Sequence, residues 1–210
     1  MIRVLIADDH EVVRRGLVNI LEDEHGMSVV AEACDATEAL EKARATDVDV
    51  VLLDISMPGM SGLDALKELR SERPLVPVLI LSIHPEEQYA VRVMRAGAAG
   101  YLTKDTAPEE LVRAIRSVIG GHKYISQSLA ERLARELTDG MEKAPHERLS
   151  DREYQMMLLI ARGKTASEIA TGLSLSVKTV STYRSRVLKK MNLRNNAEIM
   201  RYAMERHLVD

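Results

Sequence analysis

The sequence predicts an α/β fold, a doubly wound five-stranded parallel sheet, followed by a small all-α domain. Five short apolar runs alternate with five amphipathic segments over roughly the first 120 residues, and this alternation is typical of a parallel sheet with helices on both faces. The charge is also divided unevenly, since residues 149–210 carry a net charge of +5 and residues 1–148 carry −8. An acidic body with a basic end indicates two domains, the second suited to nucleic acid.

The third apolar run is the strand around which the sheet is organised. Val50–Leu53 is unbroken and rich in β-branched residues, as expected of a strand buried on both faces. It ends in Asp54, and Pro58-Gly59 then turns the chain. Burying a carboxylate within the sheet would be costly, whereas the carboxyl ends of strands are where open α/β sheets bind ligands. We therefore expect Asp54 at that edge.

The remaining elements of the first domain follow from apolar periodicity and from turn residues. Four further strands are predicted over residues 2–7, 28–34, 77–81 and 99–102. Helices are predicted over residues 10–21, 36–45, 61–71, 86–96 and 108–119.

Polar residues stand at the ends of four of these strands. Asp8-Asp9 follow the first, Asp54 ends the third, Ser82 follows the fourth and Lys104 comes after the fifth. Parallel strands share one carboxyl edge, so three carboxylates would crowd there and repel one another without a cation. Hard oxygen ligands favour Mg²⁺, and a lysine and a hydroxyl beside them suit phosphoryl transfer. Asp54 alone leads into a Pro-Gly loop, and we predict it as the nucleophile.

The second domain begins after a linker. An amphipathic helix is predicted over residues 126–137, and residues 138–148 are mostly polar. Capping boxes at Ser150–Glu153 and Thr165–Glu168 then open two helices. Ser176 caps a third helix that runs to about Met191, and residues 195–206 form a fourth. Two short helices joined by a tight turn that contains glycine predict a helix-turn-helix.

The third helix of this domain has two distinct faces. Its apolar arc is expected to pack inward and comprises Val177, Val180, Val187, Leu188 and Met191. The opposite stripe is small, polar and basic, as suits a DNA major groove, and comprises Lys178, Ser181, Thr182, Ser185 and Lys189. Three flanking residues could hold phosphates: Tyr183, Arg186 and Lys190. An ordinary solvated helix face stays open as the alternative.

Residues 1–120 resemble the receiver domain of bacterial two-component response regulators, which has a flavodoxin-like fold. The resemblance rests on Asp8-Asp9, Asp54 with Met57-Pro58-Gly59, Ser82, and Tyr101 with Lys104. It implies that Asp54 accepts a phosphoryl group from a sensor kinase phosphohistidine, and that Ser82 and Tyr101 form a switch pair. The implied Mg²⁺ ligands are Asp8, Asp9, Asp54 and the Ser56 carbonyl.

Residues 149–210 resemble the LuxR/NarL-type DNA-binding domain, through motifs that include Glu168-Ile169-Ala170 and Ser176–Val180. Tyr183-Arg184 resembles the GacA/UvrY branch of these regulators. The resemblance implies promoter DNA as a partner and a homodimer when the protein is phosphorylated or DNA-bound. Candidates for the dimer contact on the last helix are Ile199, Tyr202 and Ala203. The implied domains are a receiver at 1–120, a linker at 121–148 and a DNA-binding domain at 149–210.

The resulting hypothesis is a response regulator, a transcription factor whose DNA binding is controlled by phosphorylation of Asp54. Two rivals remain: a phosphatase-like hydrolase, disfavoured because Ser56 stands where an acid/base carboxylate is needed, and a binding module that works without phosphorylation. We expect no turnover of external substrates, while self-dephosphorylation stays open.

No apolar run approaches the ~20 residues of a membrane span, and no signal peptide is expected, so we predict a cytoplasmic protein. The single cysteine, Cys34, is expected to be a buried, inert thiol.

Overall fold

The computed structural model describes residues 1–138 and 144–209, and it divides into two compact units, Met1–Leu133 and Ala134–Asp210. The predicted polar linker lies partly outside the described residues, at 139–143, and the side chains at 135–138, including Leu137, are also outside them. None of the described helices is both long enough and apolar enough to cross a bilayer.

The first unit contains five strands and the helices that follow them. The strands are β1 Ile2–Ala7, β2 Met27–Ala33, β3 Val50–Asp54, β4 Val78–Ser82 and β5 Gly100–Thr103. The helices are α1 Glu11–Glu22, α2 Ala36–Ala45, α3 Gly62–Glu72, α4 Glu86–Arg95, α5 Pro108–Ile119 and α6 Gln127–Thr138, the last of which continues past Leu133. All four strand pairs are parallel, in the order β2-β1-β3-β4-β5. The predicted doubly wound sheet is confirmed.

The central strand is buried along its whole length. β3 lies between β1 and β4, and Val50, Val51 and Leu53 are fully buried. The chain then turns tightly back, because Gly62 at the start of α3 packs directly on the end of β3. A Cβ at Gly62 would lie 2.5 Å from the Asp54 carbonyl oxygen, which is closer than real atoms approach. This close packing fixes the loop that follows Asp54.

One prediction about the first unit is wrong. Cys34 is exposed, because β2 is an edge strand that ends at Ala33, so the apolar run stops one residue before the thiol. A side-chain hydrogen bond with Glu38, together with desolvation, raises the pKa of Cys34. A raised pKa disfavours the thiolate, which is the nucleophilic form of cysteine.

The second unit is helical. It contains a 3₁₀ turn at Pro145–Arg148, α7 Asp151–Ala161, α8 Ala166–Gly172, α9 Val177–Met191 and α10 Asn196–Glu205. Both predicted capping boxes are present, at Ser150–Glu153 and Thr165–Glu168. Ser176 caps α9 by accepting a hydrogen bond from the Thr179 N–H, and α9 packs on α7 and α8. The helix-turn-helix prediction is confirmed.

Candidate functional site

The carboxyl ends of the parallel strands bring the predicted polar residues together at one edge of the sheet. Asp8 and Asp9 follow β1, Asp54 ends β3, and Lys104 follows β5. The Lys104 Nζ lies 2.6 Å from Asp8 Oδ2 and 2.7 Å from Asp54 Oδ2. One amine therefore bridges two carboxylates whose residues are only 2% and 1% exposed.

Asp54 is held through both of its carboxylate oxygens. The Ser56 N–H donates to Oδ1 at 2.9 Å, and the Lys104 amine donates to Oδ2 at 2.7 Å. Burial raises the pKa of Asp54, although Lys104 and the Ser56 N–H oppose that rise. Burial alone would lower the pKa of Lys104, but the carboxylates of Asp54 and Asp8 outweigh it and raise the pKa. The two carboxylates therefore favour the charged form of Lys104, whose amine is held between them.

The same edge carries more negative charge than Lys104 can neutralise. Ligand atoms of Asp8, Asp9, Asp54 and His10 all lie within 4.8 Å of one another. Asp8 Oδ2 and Asp9 Oδ1 are buried and have no hydrogen bond from any described residue, although Lys104 Nζ and His10 Nδ1 lie at ion-pair distances of 2.6 and 2.8 Å. Three carboxylates facing one lysine leave room for a divalent cation, and hard oxygen donors fit Mg²⁺. This acidic pocket is compatible with the predicted metal.

The two predicted switch residues meet at the backbone of His84. The His84 N–H donates to Ser82 Oγ at 3.0 Å, and the Tyr101 hydroxyl donates to the His84 carbonyl at 2.7 Å. Ser82 is completely buried, the Tyr101 ring is also buried, and the His84 ring stacks on Tyr89. The sequence pattern indicates no more than a solvated loop residue at His84. A role carried by its backbone leaves no side-chain signal from which it could be found.

The outer stripe of α9 is exposed, as predicted. Its exposed members are Lys178, Ser181, Thr182, Ser185 and Lys189, with Arg186 beside them. The Thr182 hydroxyl donates to the Lys178 carbonyl and the Ser185 hydroxyl donates to the Ser181 carbonyl, both at 3.0 Å. The guanidinium of Arg186 lies 5.9 Å from the centre of the Tyr183 ring. The helix therefore presents small hydroxyls between cationic ends.

One residue of α9 differs from expectation, and two others make contacts within the domain. Val177 is expected to pack inward but is 48% exposed, because it opens the helix before the first buried turn. Arg184 is half-buried and donates to the Asn196 side chain, so it ties α9 to the start of α10. The Lys190 amine lies 2.6 Å from Glu153 Oε2, so this residue, a predicted phosphate contact, also ties α9 to α7.

The predicted dimer contact on the last helix is wrong for two of its three residues. Ile199 and Ala203 are fully buried in the core of the second unit, so a partner chain cannot reach them. The Tyr202 hydroxyl is 2.8 Å from the His146 ring nitrogen. The large apolar residues that α10 exposes are Met200 and Met204, at 38% and 56%. The apolar side chains of Ile199 and Ala203 are buried by their own domain and not by a second chain.

Comparisons with known proteins agree with this architecture. Residues 4–116 match the response regulator receiver domain, and residues 147–203 match the bacterial regulatory proteins of the luxR family. The fold and the site thus define a receiver joined to a LuxR-type DNA-binding domain. The chain belongs to the LuxR-type response regulators of two-component systems, and it acts as a transcription factor.

Within that family, two sets of relatives match along their whole length. The chain is 43% identical to response regulator UvrY of Escherichia coli O6:H1, over 99% of this chain and 96% of the relative. It is 39% identical to response regulator GacA of Pseudomonas aeruginosa, over 100% of this chain and 99% of the relative. The predicted GacA/UvrY resemblance is confirmed.

Solved structures of response regulators share the fold, one over nearly the whole chain and one over about two thirds of it. RcsB of Salmonella enterica serovar Typhimurium, bound to promoter P1flhDC in the presence of the phosphomimetic BeF3-, aligns with a TM-score of 0.66 at 26% identity, covering 97% of this chain and 98% of that one. A LuxR-family regulator from Aurantimonas aligns with a TM-score of 0.59 at 36% identity, covering 65% of this chain and 98% of that one.

Proposed function

We propose that Asp54 accepts a phosphoryl group from the phosphohistidine of a sensor kinase, and that this event controls the binding of α9 to promoter DNA. The observation that carries the proposal is the buried Asp54 carboxylate beside Lys104, with two further carboxylates within metal-binding distance. Ligands bind open α/β sheets at the carboxyl ends of the strands, and the position of Asp54 at such an end supports its role as the acceptor.

The chemistry needs little beyond positioning and charge. A carboxylate oxygen of Asp54 forms the new P–O bond while the donor's P–N bond breaks, and the imidazole nitrogen keeps the electron pair and takes up a proton. Lys104 exchanges its contact with Asp54 Oδ2 for a phosphoryl oxygen. Ser82 supplies a hydroxyl at the same edge, which can donate to another phosphoryl oxygen once it turns from His84.

Asp8, Asp9 and Asp54, together with the Ser56 carbonyl, would hold Mg²⁺. When bound, the ion neutralises charge on the phosphoryl oxygens. The support for this set is the excess negative charge of the acidic pocket, where ligand atoms of Asp8, Asp9 and Asp54 lie within 4.8 Å of one another.

The proposed switch depends on the hydrogen bonds that Ser82 and Tyr101 both make with the backbone of His84. If the Ser82 hydroxyl moves to the phosphoryl group, the His84 N–H loses its acceptor. The Tyr101 hydroxyl still binds the other side of the same residue. One local charge event can thus shift the loop between β4 and α4.

On DNA, we propose that the exposed stripe of α9 enters the major groove. Lys178, Ser181, Thr182, Ser185 and Lys189 would face the bases and the groove, with Tyr183, Arg186 and Lys190 at the phosphates. Met200 and Met204 on α10 are candidates for the contact between two copies of the chain on DNA.

The proposed domains are the receiver at 1–120, the linker at 121–148 and the DNA-binding domain at 149–210. We also infer a cytoplasmic site of action, and self-dephosphorylation of Asp54 without turnover of other substrates.

The test is phosphorylation of the full chain by acetyl phosphate or phosphoramidate in the presence of Mg²⁺. We expect one phosphoryl group per chain, lost in Asp54→Asn and retained in the control Asp23→Asn, whose exposed carboxylate lies at the end of α1. Incorporation that survives Asp54→Asn would show that another residue is the acceptor.

A further inference from the structure

The chain that leaves α5 returns to the sheet and pairs with its edge. We call residues 122–126 the strap. Within the strap the Tyr124 N–H donates to the Ala99 carbonyl at 2.9 Å, and its carbonyl accepts from the Tyr101 N–H at 3.3 Å, forming a parallel bridge on β5. Gly100 permits this approach, because a Cβ there would lie 2.5 Å from the Tyr124 carbonyl oxygen. The strap therefore lies directly against the residue that carries the switch ring.

Two side chains anchor the strap to the neighbouring helices. The Tyr124 hydroxyl donates to Glu110 on α5 at 3.2 Å. The Ser126 hydroxyl lies 2.7 Å from both carboxylate oxygens of Glu86, the first residue of α4. Ser126 Oγ also accepts from the Leu129 N–H at 3.1 Å, and the Leu129 side chain is completely buried. A single hydroxyl therefore both caps α6 and attaches it to α4.

A short loop joins this anchor to the acidic pocket. Ser82 Oγ accepts from the His84 N–H, the His84 carbonyl accepts from the Tyr101 hydroxyl, and Glu86 follows two residues later. Any shift of His84 is therefore passed along two peptide units to the carboxylate that holds Ser126. Tyr101 contacts both ends of this route, with its hydroxyl on His84 and its N–H on the strap.

We propose that Glu86 and Ser126 are positioning residues that carry the phosphorylation signal from the pocket to the linker. The proposal rests on the proposed function and names how it is regulated. When Ser82 accepts the hydrogen bond from His84, Glu86 remains hydrogen-bonded to Ser126 and the strap stays paired with β5. When the Ser82 hydroxyl turns to a phosphoryl group, the loop between β4 and α4 shifts. The hydrogen bond between Glu86 and Ser126 then breaks, and the start of α6 is no longer attached to α4.

The test compares four full-length variants with the wild type. Ser126→Ala and Glu86→Gln remove or weaken the anchor, and Ser126→Thr retains the hydroxyl and should rescue. Glu109→Gln is a matched control, since it neutralises an exposed carboxylate in the first turn of α5 that is not one of the two carboxylates that hold the strap. The probes are beryllofluoride with Mg²⁺ as the phosphoryl mimic, and a DNA duplex selected from a random pool by the wild-type chain in that state.

In the wild type, beryllofluoride should speed hydrogen exchange at the Leu129 and Tyr124 amides. In Ser126→Ala without beryllofluoride, these two amides should already exchange at the rate that the wild type reaches with beryllofluoride. For each protein, the DNA dissociation constant without beryllofluoride is divided by the constant with it. In Ser126→Ala this ratio should be roughly five-fold smaller than in the wild type, because the hydrogen bond to the Glu86 carboxylate is lost. Ser126→Thr and Glu109→Gln should behave as the wild type, and acetyl phosphate should label all variants equally.

The alternative results are distinct. Normal labelling with an unchanged dissociation-constant ratio in Ser126→Ala would show that the anchor is only structural, and would overturn the relay. Failure of Ser126→Thr to rescue would overturn it as well. A wild-type chain that takes up no phosphoryl group would instead refute the proposed function, and the relay with it. Thermal unfolding of each variant identifies any that fail to fold, and Glu86→Gln then decides between relay and structural anchor.

Discussion

The ion pair between Glu153 and Lys190 predicts how the DNA-binding domain responds to a single change of charge. Glu153 is 3% exposed, accepts from the Ser150 N–H at 2.8 Å as half of a capping box, and lies 2.6 Å from the Lys190 amine. Glu153→Gln retains an acceptor for the cap, because glutamine also serves in capping boxes. The substitution therefore isolates the charge that faces Lys190.

The magnitude follows from exposure. A hydrogen bond to a charged group contributes about 1.5–3 kcal/mol, but the Lys190 side chain is 45% exposed, and solvent screens the pair. We therefore expect Glu153→Gln to lower the free energy of unfolding by about 1 kcal/mol. Glu153→Ala also loses the cap and should cost about 2–3 kcal/mol.

The effect should depend on pH. Burial raises the pKa of Glu153, but hydrogen bonds from Lys190 and from Ser150 outweigh burial and lower the pKa below the usual 4.5. A lowered pKa in the folded state means that the stabilisation is present above the unfolded pKa and is lost as the pH falls through the folded value. The gap in stability between the wild type and Glu153→Gln should therefore close as the pH falls below 4.5.

The assay is native-state hydrogen exchange of the α9 amides in the full chain, which reports the opening of this domain without assuming two-state unfolding of the whole protein. Lys190→Met completes a double-mutant cycle, with an expected coupling of about 1 kcal/mol. A stability gap that is independent of pH, or a coupling near zero, would refute the reasoning.

Three further predictions concern binding. Asp8→Asn should raise the Mg²⁺ concentration needed for phosphorylation about ten-fold or more, because it removes one charge from a carboxylate set with excess negative charge; an unchanged Mg²⁺ titration would exclude Asp8 as a ligand. Lys178→Ala and Lys189→Ala should each weaken DNA binding and reduce the salt slope by about one, with receiver phosphorylation unaffected. Equal slopes before and after substitution would remove these lysines from the interface. Met204→Glu should lower the fraction of two-copy complexes in gel-shift titrations, and the Met200→Glu variant should do the same; a protein that still binds DNA in pairs would place the dimer contact elsewhere.

Much of the receiver could be predicted because its chemistry stands at strand ends. Asp54, Ser82 and Lys104 are separated by tens of residues, yet parallel topology alone places them at one edge. Apolar runs with clear ends therefore predicted the fold and the position of these residues at one edge of the sheet.

Other features could not be predicted, since they depend on tertiary neighbours. Tyr124 lies in a segment without periodicity, just before the helix predicted from Ser126. The missing side chain of Gly100 allows the chain to pair there. Ile199 and Ala203 form a clear apolar stripe, but a stripe does not say whether its own domain or a second chain covers it. Cys34 shows the same limit, because an edge strand exposes what a central strand would bury.

The strap also bears on how the receiver could be reused. Its bridge to β5, its anchors on α4 and α5, and the buried Leu129 all fall within Met1–Leu133, the first compact unit. A chimaera that joins a different output module after Leu133 would inherit the complete attachment. A fusion made at Gly120 would remove this attachment. By this reasoning such a hybrid would still be phosphorylated, but phosphorylation would no longer change the activity of its output module.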